Sequence, residues 1–172
     1  MEFNKKDIKI YILTGKARSG KDTFANKMID ALNNKGLKAI KIAYASYLKE
    51  YAKNILGWDG SDDTKPRKFL QEIGVQLIKD KIDDKMLINR ILEDILVYSY
   101  FYDVIIISDA RFESEINSIK DRYDNVKVIH LKEKVNDLTE EEKNHITETS
   151  LDEYHDYDYE VDQNTDVESV IL

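Results

Sequence analysis

The sequence predicts a three-layer α/β/α fold around a central parallel sheet, and three observations carry the prediction. A short run rich in β-branched and aromatic residues, "IKIYILTG" (8–15), ends in glycine. A glycine-spaced loop and a segment with helical spacing follow it. A second strand-like run, "LKAIKIAYA" (37–45), comes next. Strand, loop, helix and strand open a βαβ unit, whose parallel strands need helices over both faces.

Each later element has its own signal. Phe24, Met28, Ile29 and Leu32 repeat at helical spacing, and "NNKG" stops that helix at Gly36. Helical patterns then run over about 47–56, 66–82 and 85–98, the first ended by "GWDGSDD" and the second opened by Pro66. "YDVIIISDA" (102–110) is the most strand-like segment; Val104 to Ser108 read as a central strand buried on both faces. A helix is predicted over 112–122, a strand at "VKVIHL" (126–131), a last short strand in "YDYEVDQN" (157–164) and a final turn or two over 167–172. Residues 132–150 are charged, poor in apolar side chains and expected to be mobile. There is no repeat, linker or low-complexity tract, so residues 1–172 are expected to form a single domain.

Composition narrows the function classes. A net charge of −8 and a pI near 5.0 weigh against a nucleic acid polymer as partner. The chain has no cysteine, which removes disulfides, thiol catalysis and cysteine-bound metal. The apolar run near the N-terminus is too short for a signal peptide or a membrane span, so no membrane partner and a cytoplasmic location are expected.

The chemistry centres on "TGKARSGKDTFA" (14–25). Gly15, Gly20 and Lys21 have the spacing G-x-x-x-x-G-K between a strand and a helix. Such a loop turns its N–H groups onto one point, the helix adds the positive end of its dipole, and the lysine adds a point charge. Residues Gly15, Ala17, Arg18, Ser19, Gly20, Lys21, Asp22 and Thr23 are therefore candidates for binding the phosphates of a nucleotide. Asp22 stands where a hydroxyl is usual. It either contacts Mg²⁺, with Thr23 supplying the hydroxyl one position later, or simply sits in a first helical turn that favours acids.

A second half-site is expected at "SDARFESE" (108–115), where Asp109 ends the predicted central strand and Arg111 and Glu115 follow. Ligands of open parallel sheets gather at this edge. Asp109 could orient an acceptor or a hydrated metal, and Arg111 could fork onto a phosphate. The competing reading is a capping aspartate and a surface arginine. In "KPRKFLQEIG" (65–74), Lys65, Arg67 and Lys68 crowd a first helical turn, and Arg67, Gln71 and Gly74 share a face. That segment reads equally as a second phosphate site or a solvated basic patch. "NKKD" (4–7) precedes the loop with no strand to carry it. His130, His145 and His155 lack metal-like spacing, and "YHDYDY" (154–159) is most simply a part-buried edge strand.

In the order "GKARSGKDT", "LKEYA", "GWDGSDDTKPRKFLQEIG", "SDARFESE", "HITE" and "DYDYEVDQNTDVES", the chain resembles the phage-type deoxynucleoside monophosphate kinases. Phosphomevalonate kinase of animals is a more distant likeness. The resemblance implies a P-loop NTPase fold of nucleoside-monophosphate-kinase type, in which an aspartate after the loop lysine is normal. It implies transfer of the γ-phosphoryl of ATP, with Mg²⁺, to a (deoxy)nucleoside monophosphate. Lys49, Arg67, Gln71, Gly74, Asp109, Arg111 and Glu115 would bind the acceptor, with Lys21, Asp109 and Arg111 catalytic. Asn164 would lie near adenine. The acceptor region would span about 46–99 and a lid about 132–150, with Lys132, Lys134 and Lys143 as closing cations. The family usually has Thr at the position of Val75, which offers no hydroxyl, and the stretch between Leu56 and Arg67 is shorter than in the long phage enzymes. Similar proteins include dimers, so a homodimer is compatible with the resemblance. The alternatives are a P-loop kinase for another small phosphorylated metabolite and a nucleotide-binding regulatory ATPase.

Overall fold

A computed structural model of the chain describes residues 2–132 and 139–171. The elements run β1 (Lys9–Thr14), α1 (Lys21–Asn34), β2 (Ala39–Ile42), α2 (Tyr44–Leu56), α3 (Arg67–Glu72), a π-helical continuation (Ile73–Ile82), α4 (Met86–Tyr98), β3 (Val104–Ile107), α5 (Glu113–Lys120), β4 (Val126–Leu131), α6 (Glu140–Lys143), α7 (Ile146–Thr149), β5 (Tyr159–Val161) and a 3-10 turn (Val167–Ser169).

The strands form one parallel sheet in the order β2-β3-β1-β4-β5. Side chains alternate across a strand, so β1 feeds both cores. Ile10 and Ile12 pack with Ile105, Ile107, Ile91, Ile95, Ile116 and Ile119, joining the sheet to α4 and α5. Tyr11 and Leu13 pack with Phe24, Met28, Val104, Ile106 and Ile129, joining its other face to α1. This is the predicted three-layer arrangement of an α/β P-loop fold. Every residue of β3 is buried, as expected for a strand covered on both sides. The middle strand of the sheet is β1; β3 lies between it and the edge strand β2.

The register fixes the working edge. Ile12 pairs with Ile107, so the chain leaves β1 toward Gly15 beside the point where β3 leads to Asp109. Gly15 must be glycine here. Its φ is +134°, and a Cβ would stand 2.5 Å from the carbonyl oxygen of Leu131.

Three sequence expectations need adjustment. The second strand stops at Ile42, and Tyr44 already starts α2, one turn earlier than the apolar spacing suggests. The helix over 66–82 widens to π geometry from Ile73 onward. The described part of the charged segment 132–150 carries two short helices, α6 and α7, and α6 opens with a Thr139–Glu142 capping box. No helix among the described residues is long and apolar enough to cross a membrane.

Candidate active site

A cleft of about 580 Å³ opens at the C-terminal edge of the sheet. The glycine loop and α1 form one wall, through Ala17, Arg18, Gly20, Lys21, Asp22 and Thr23. The start of α2 and the helix beginning at Arg67 form the opposite wall, through Lys49, Lys65, Arg67, Gln71 and Gly74. Asp109, Arg111 and Glu115 close the floor from the end of β3 and the start of α5. The two candidate half-sites thus face each other across one space, although the first and last of these residues are far apart in sequence.

The loop lysine is turned onto its own loop. Lys21 Nζ donates to the carbonyl oxygens of Gly15 and Lys16, each at 2.7 Å, and approaches Ser19 Oγ at 3.4 Å. Lys21 is only 8% exposed. Burial, followed by the nearby Arg111 charge, brings its pKa down to about 7. An anion placed against Lys21 would restore its full charge. Arg18 holds a left-handed φ of +60°, and its side chain is exposed.

Asp22 is 77% exposed in the first turn of α1, with Lys41 Nζ 3.3 Å from its Oδ1. Thr23 is also exposed and lines the cleft beside it. This oxygen-only set suits Mg²⁺, which takes one or two carboxylates and completes its shell with phosphate oxygens and water. Among the described residues, no group of three or more His, Cys, Asp or Glu side chains forms a ready-made metal cage.

Asp109 and Glu115 are committed to backbone N–H groups. The oxygens of Asp109 accept from Tyr44 N–H and Ala45 N–H, each at 2.8 Å. Asp109 thereby caps α2, the next element across the sheet edge, in place of the helix that follows it in sequence. Burial raises its pKa, against the pull of those two hydrogen bonds. Glu115 Oε2 accepts from Arg111 N–H at 2.7 Å and Phe112 N–H at 3.1 Å, fixing the turn from β3 into α5. Burial lifts its pKa to about 7.

The opposite wall is cationic. Lys65 is partly buried, and its pKa is lowered first by burial and then by the adjacent charges of Lys49 and Arg67. Cations crowded in this way form a site for an anion. Gln71, Gly74 and Val75 lie on the same face of the helix as Arg67, and the missing Cβ of Gly74 lets Leu48 Cδ1 approach to 3.0 Å of where that atom would be. Lys68 points away from it, 80% exposed, with its ammonium 4.0 Å from Glu72.

Three groups of sequence candidates stand outside this constellation. Asn164 is exposed in the turn after β5, where its N–H donates to Asp162 Oδ1 at 2.7 Å. Lys132 and Lys143 lie near Glu160 (3.9 Å) and Glu140 (2.9 Å), away from the cleft lining. Lys134 lies outside the described residues. The segment places Glu142, Thr147 and Glu148 in the lining instead. Of the cleft residues, Lys65 was visible as part of a basic first turn. Glu148 had no local signal beyond its place in "HITE".

The sequence matches the family described as deoxynucleotide monophosphate kinase over residues 31–171, a span that begins after the glycine loop. No curated protein matches the chain in sequence. Among solved structures, the fold is similar to that of the Mycobacterium tuberculosis APS kinase in complex with AMPPNP and APS, with a TM-score of 0.53, 11% identity, and coverage of 96% of this chain and 94% of that one. A mutant of the same enzyme gives a TM-score of 0.51 at 10% identity, covering 96% of this chain and 93% of that one. At these identities the likeness establishes the fold.

Proposed function

The chain belongs to the deoxynucleotide monophosphate kinase family, and on that premise we propose that it transfers the γ-phosphoryl of ATP to a (deoxy)nucleoside monophosphate. One observation carries the reading: the cations Lys49, Lys65 and Arg67 face the glycine loop across a single cleft. One anion pocket would suffice for a nucleotide switch. Two opposed pockets suit a donor triphosphate and an acceptor phosphate.

In this mechanism the loop N–H groups and Lys21 hold the β- and γ-phosphates of ATP. Lys21 exchanges its loop carbonyls for phosphate oxygens. Lys49, Lys65 and Arg67 hold the acceptor phosphate in line with the γ-phosphorus. Arg111, on the floor between them, neutralises charge on the group in transit. An acceptor oxygen forms the new bond to γ-phosphorus while the bond to the β–γ bridging oxygen breaks, and that electron pair leaves with ADP. The attacking oxygen belongs to a phosphate already ionised at neutral pH, so no general base is required and catalysis consists of alignment and charge neutralisation. Asp22 and Thr23 would hold Mg²⁺, which would supply neutralisation of phosphate charge. Leu48, Leu70, Val75 and Leu87 give the acceptor side an apolar lining for a base, with Gln71 as a hydrogen-bonding group.

The experiment is ADP release measured with ATP and Mg²⁺ against a panel of ribo- and deoxyribonucleoside monophosphates, with other phosphorylated metabolites as controls. Stimulation by one or more nucleoside monophosphates is expected. Turnover that ignores them, or that follows another metabolite, would replace this reading.

A further inference from the structure

The phosphate loop already holds an anion, supplied by the chain itself. Glu148 Oε2 accepts the N–H of Ala17 at 2.6 Å, and Glu148 Oε1 lies 2.9 Å from Arg111 Nη1. The glutamate side chain is 5% exposed. Its carboxylate is thus bound as a phosphate oxygen pair would be, between a loop N–H and a guanidinium. We propose that Glu148 is a built-in stand-in for phosphate, occupying the loop and Arg111 until a substrate phosphate displaces it.

Neighbouring contacts make this an ordered state of the segment that carries Glu148. Arg111 Nη1 also donates to Thr147 O at 3.3 Å and Gly15 O at 3.2 Å. Ser150 Oγ donates to Arg111 O. Lys16 Nζ lies 3.3 Å from Asp152 Oδ1. Residues 147–152 are therefore stapled to both the glycine loop and the β3–α5 turn. Lys21 is occupied as well, by the loop carbonyls. A buried carboxylate is costly without such partners, and here its partners are a loop N–H and an arginine that the proposed mechanism gives to phosphate.

The consequence is a coupling between donor binding and the position of residues 147–152. A triphosphate entering the loop meets a buried like charge and must expel it, so its apparent affinity is lowered by the fraction of molecules in which Glu148 is seated. Release of Glu148 also frees Arg111 for the group in transit. The chain thereby restrains ATP from engaging the full set of cations until the segment has moved, which limits transfer to water.

The inference rests on the donor-site reading of the glycine loop but not on the identity of the acceptor. Its test is calorimetric binding of the non-hydrolysable analogue AMPPNP to the full chain without acceptor. Glu148→Gln keeps the size and one acceptor oxygen and removes the charge. AMPPNP should bind the variant about 10-fold more tightly than wild type, and acceptor-free ADP release from ATP should rise. Unchanged or weaker binding by a cooperatively melting variant would assign Glu148 a purely architectural role and overturn the proposal. A second arm uses wild type alone, so it holds even where the variant fails to fold. Inorganic tripolyphosphate should accelerate amide hydrogen exchange in residues 146–150. Tripolyphosphate binding with unchanged exchange there would overturn the proposal by itself. If neither protein binds a triphosphate, the donor-site reading fails and this inference with it; binding without displacement removes this inference alone.

Discussion

The carboxylate of Asp109 accepts the N–H of Tyr44 at 2.8 Å, so the end of β3 caps the start of α2 from 65 residues away. Its second oxygen takes the N–H of Ala45. The sequence left Asp109 between capping and ligand binding, and the geometry assigns it a cap that is not the helix following it. Because α2 carries Lys49, that cap also places one cation of the proposed acceptor wall. Asp109→Asn retains one acceptor oxygen for two donors. It should lower stability by about 1–2 kcal/mol, read from chemical denaturation, and raise KM for the acceptor.

Removing Lys21 tests the donor site. Lys21→Ala deletes the ammonium that the glycine loop encloses, and phosphoryl transfer should fall by about 10²-fold or more in kcat. Its native partners are loop carbonyls, so the fold should survive, as near-wild-type thermal melting would show. Unchanged turnover would end the donor-site assignment.

The acceptor wall is tested by Arg67→Ala. Arg67 is exposed and has no ion pair among the described residues, so its loss should barely change stability. KM for the nucleoside monophosphate should rise about 10-fold or more while AMPPNP affinity stays within about twofold. Equal weakening of both ligands would misplace it.

Gly15→Ala tests the loop backbone. The added methyl would meet Leu131 O at 2.5 Å and Ser19 Oγ at 3.0 Å, at a φ of +134° that non-glycine residues rarely adopt. A loss of about 2 kcal/mol or more is expected from denaturation curves, with ATP binding lost in parallel.

The buried Glu115 predicts a pH signature. Its pKa is raised by burial from 4.5 to about 7, so the native state holds a proton that the unfolded chain releases earlier. Stability from this group is fully present below about pH 4.5 and is lost as pH rises through about 7. Glu115→Gln keeps an oxygen for the Arg111 and Phe112 N–H groups and cannot ionise. Its melting temperature should vary less than wild type between pH 4.5 and 7, and an unaltered profile would reassign the titration.

Much of the fold is written locally. The β-branched runs at 9–14, 104–107 and 126–131 are strands because most of their apolar side chains are buried, and the glycine spacing after β1 marks the loop that follows. Arg67, Gln71 and Gly74 fall on one helix face, and all of them reach the cleft. Periodicity and backbone conformation are properties of neighbouring residues, so a sequence displays them directly.

Partnership between distant polar groups is another matter. Nothing near Tyr44 announces that a helix starts there, because its cap comes from Asp109 across the sheet. Nothing near Glu148 announces that it will sit against Ala17 and Arg111, and the lysines 132 and 143 that its segment advertises turn toward their own acids. The sequence by itself determined the layers, the loop and the chemical kinds gathered at the sheet edge. The tertiary structure alone decided which carboxylate caps a helix and which fills the anion loop, because a hydrogen bond needs atoms within about 3 Å, and only the folded chain brings residues so far apart in sequence that close.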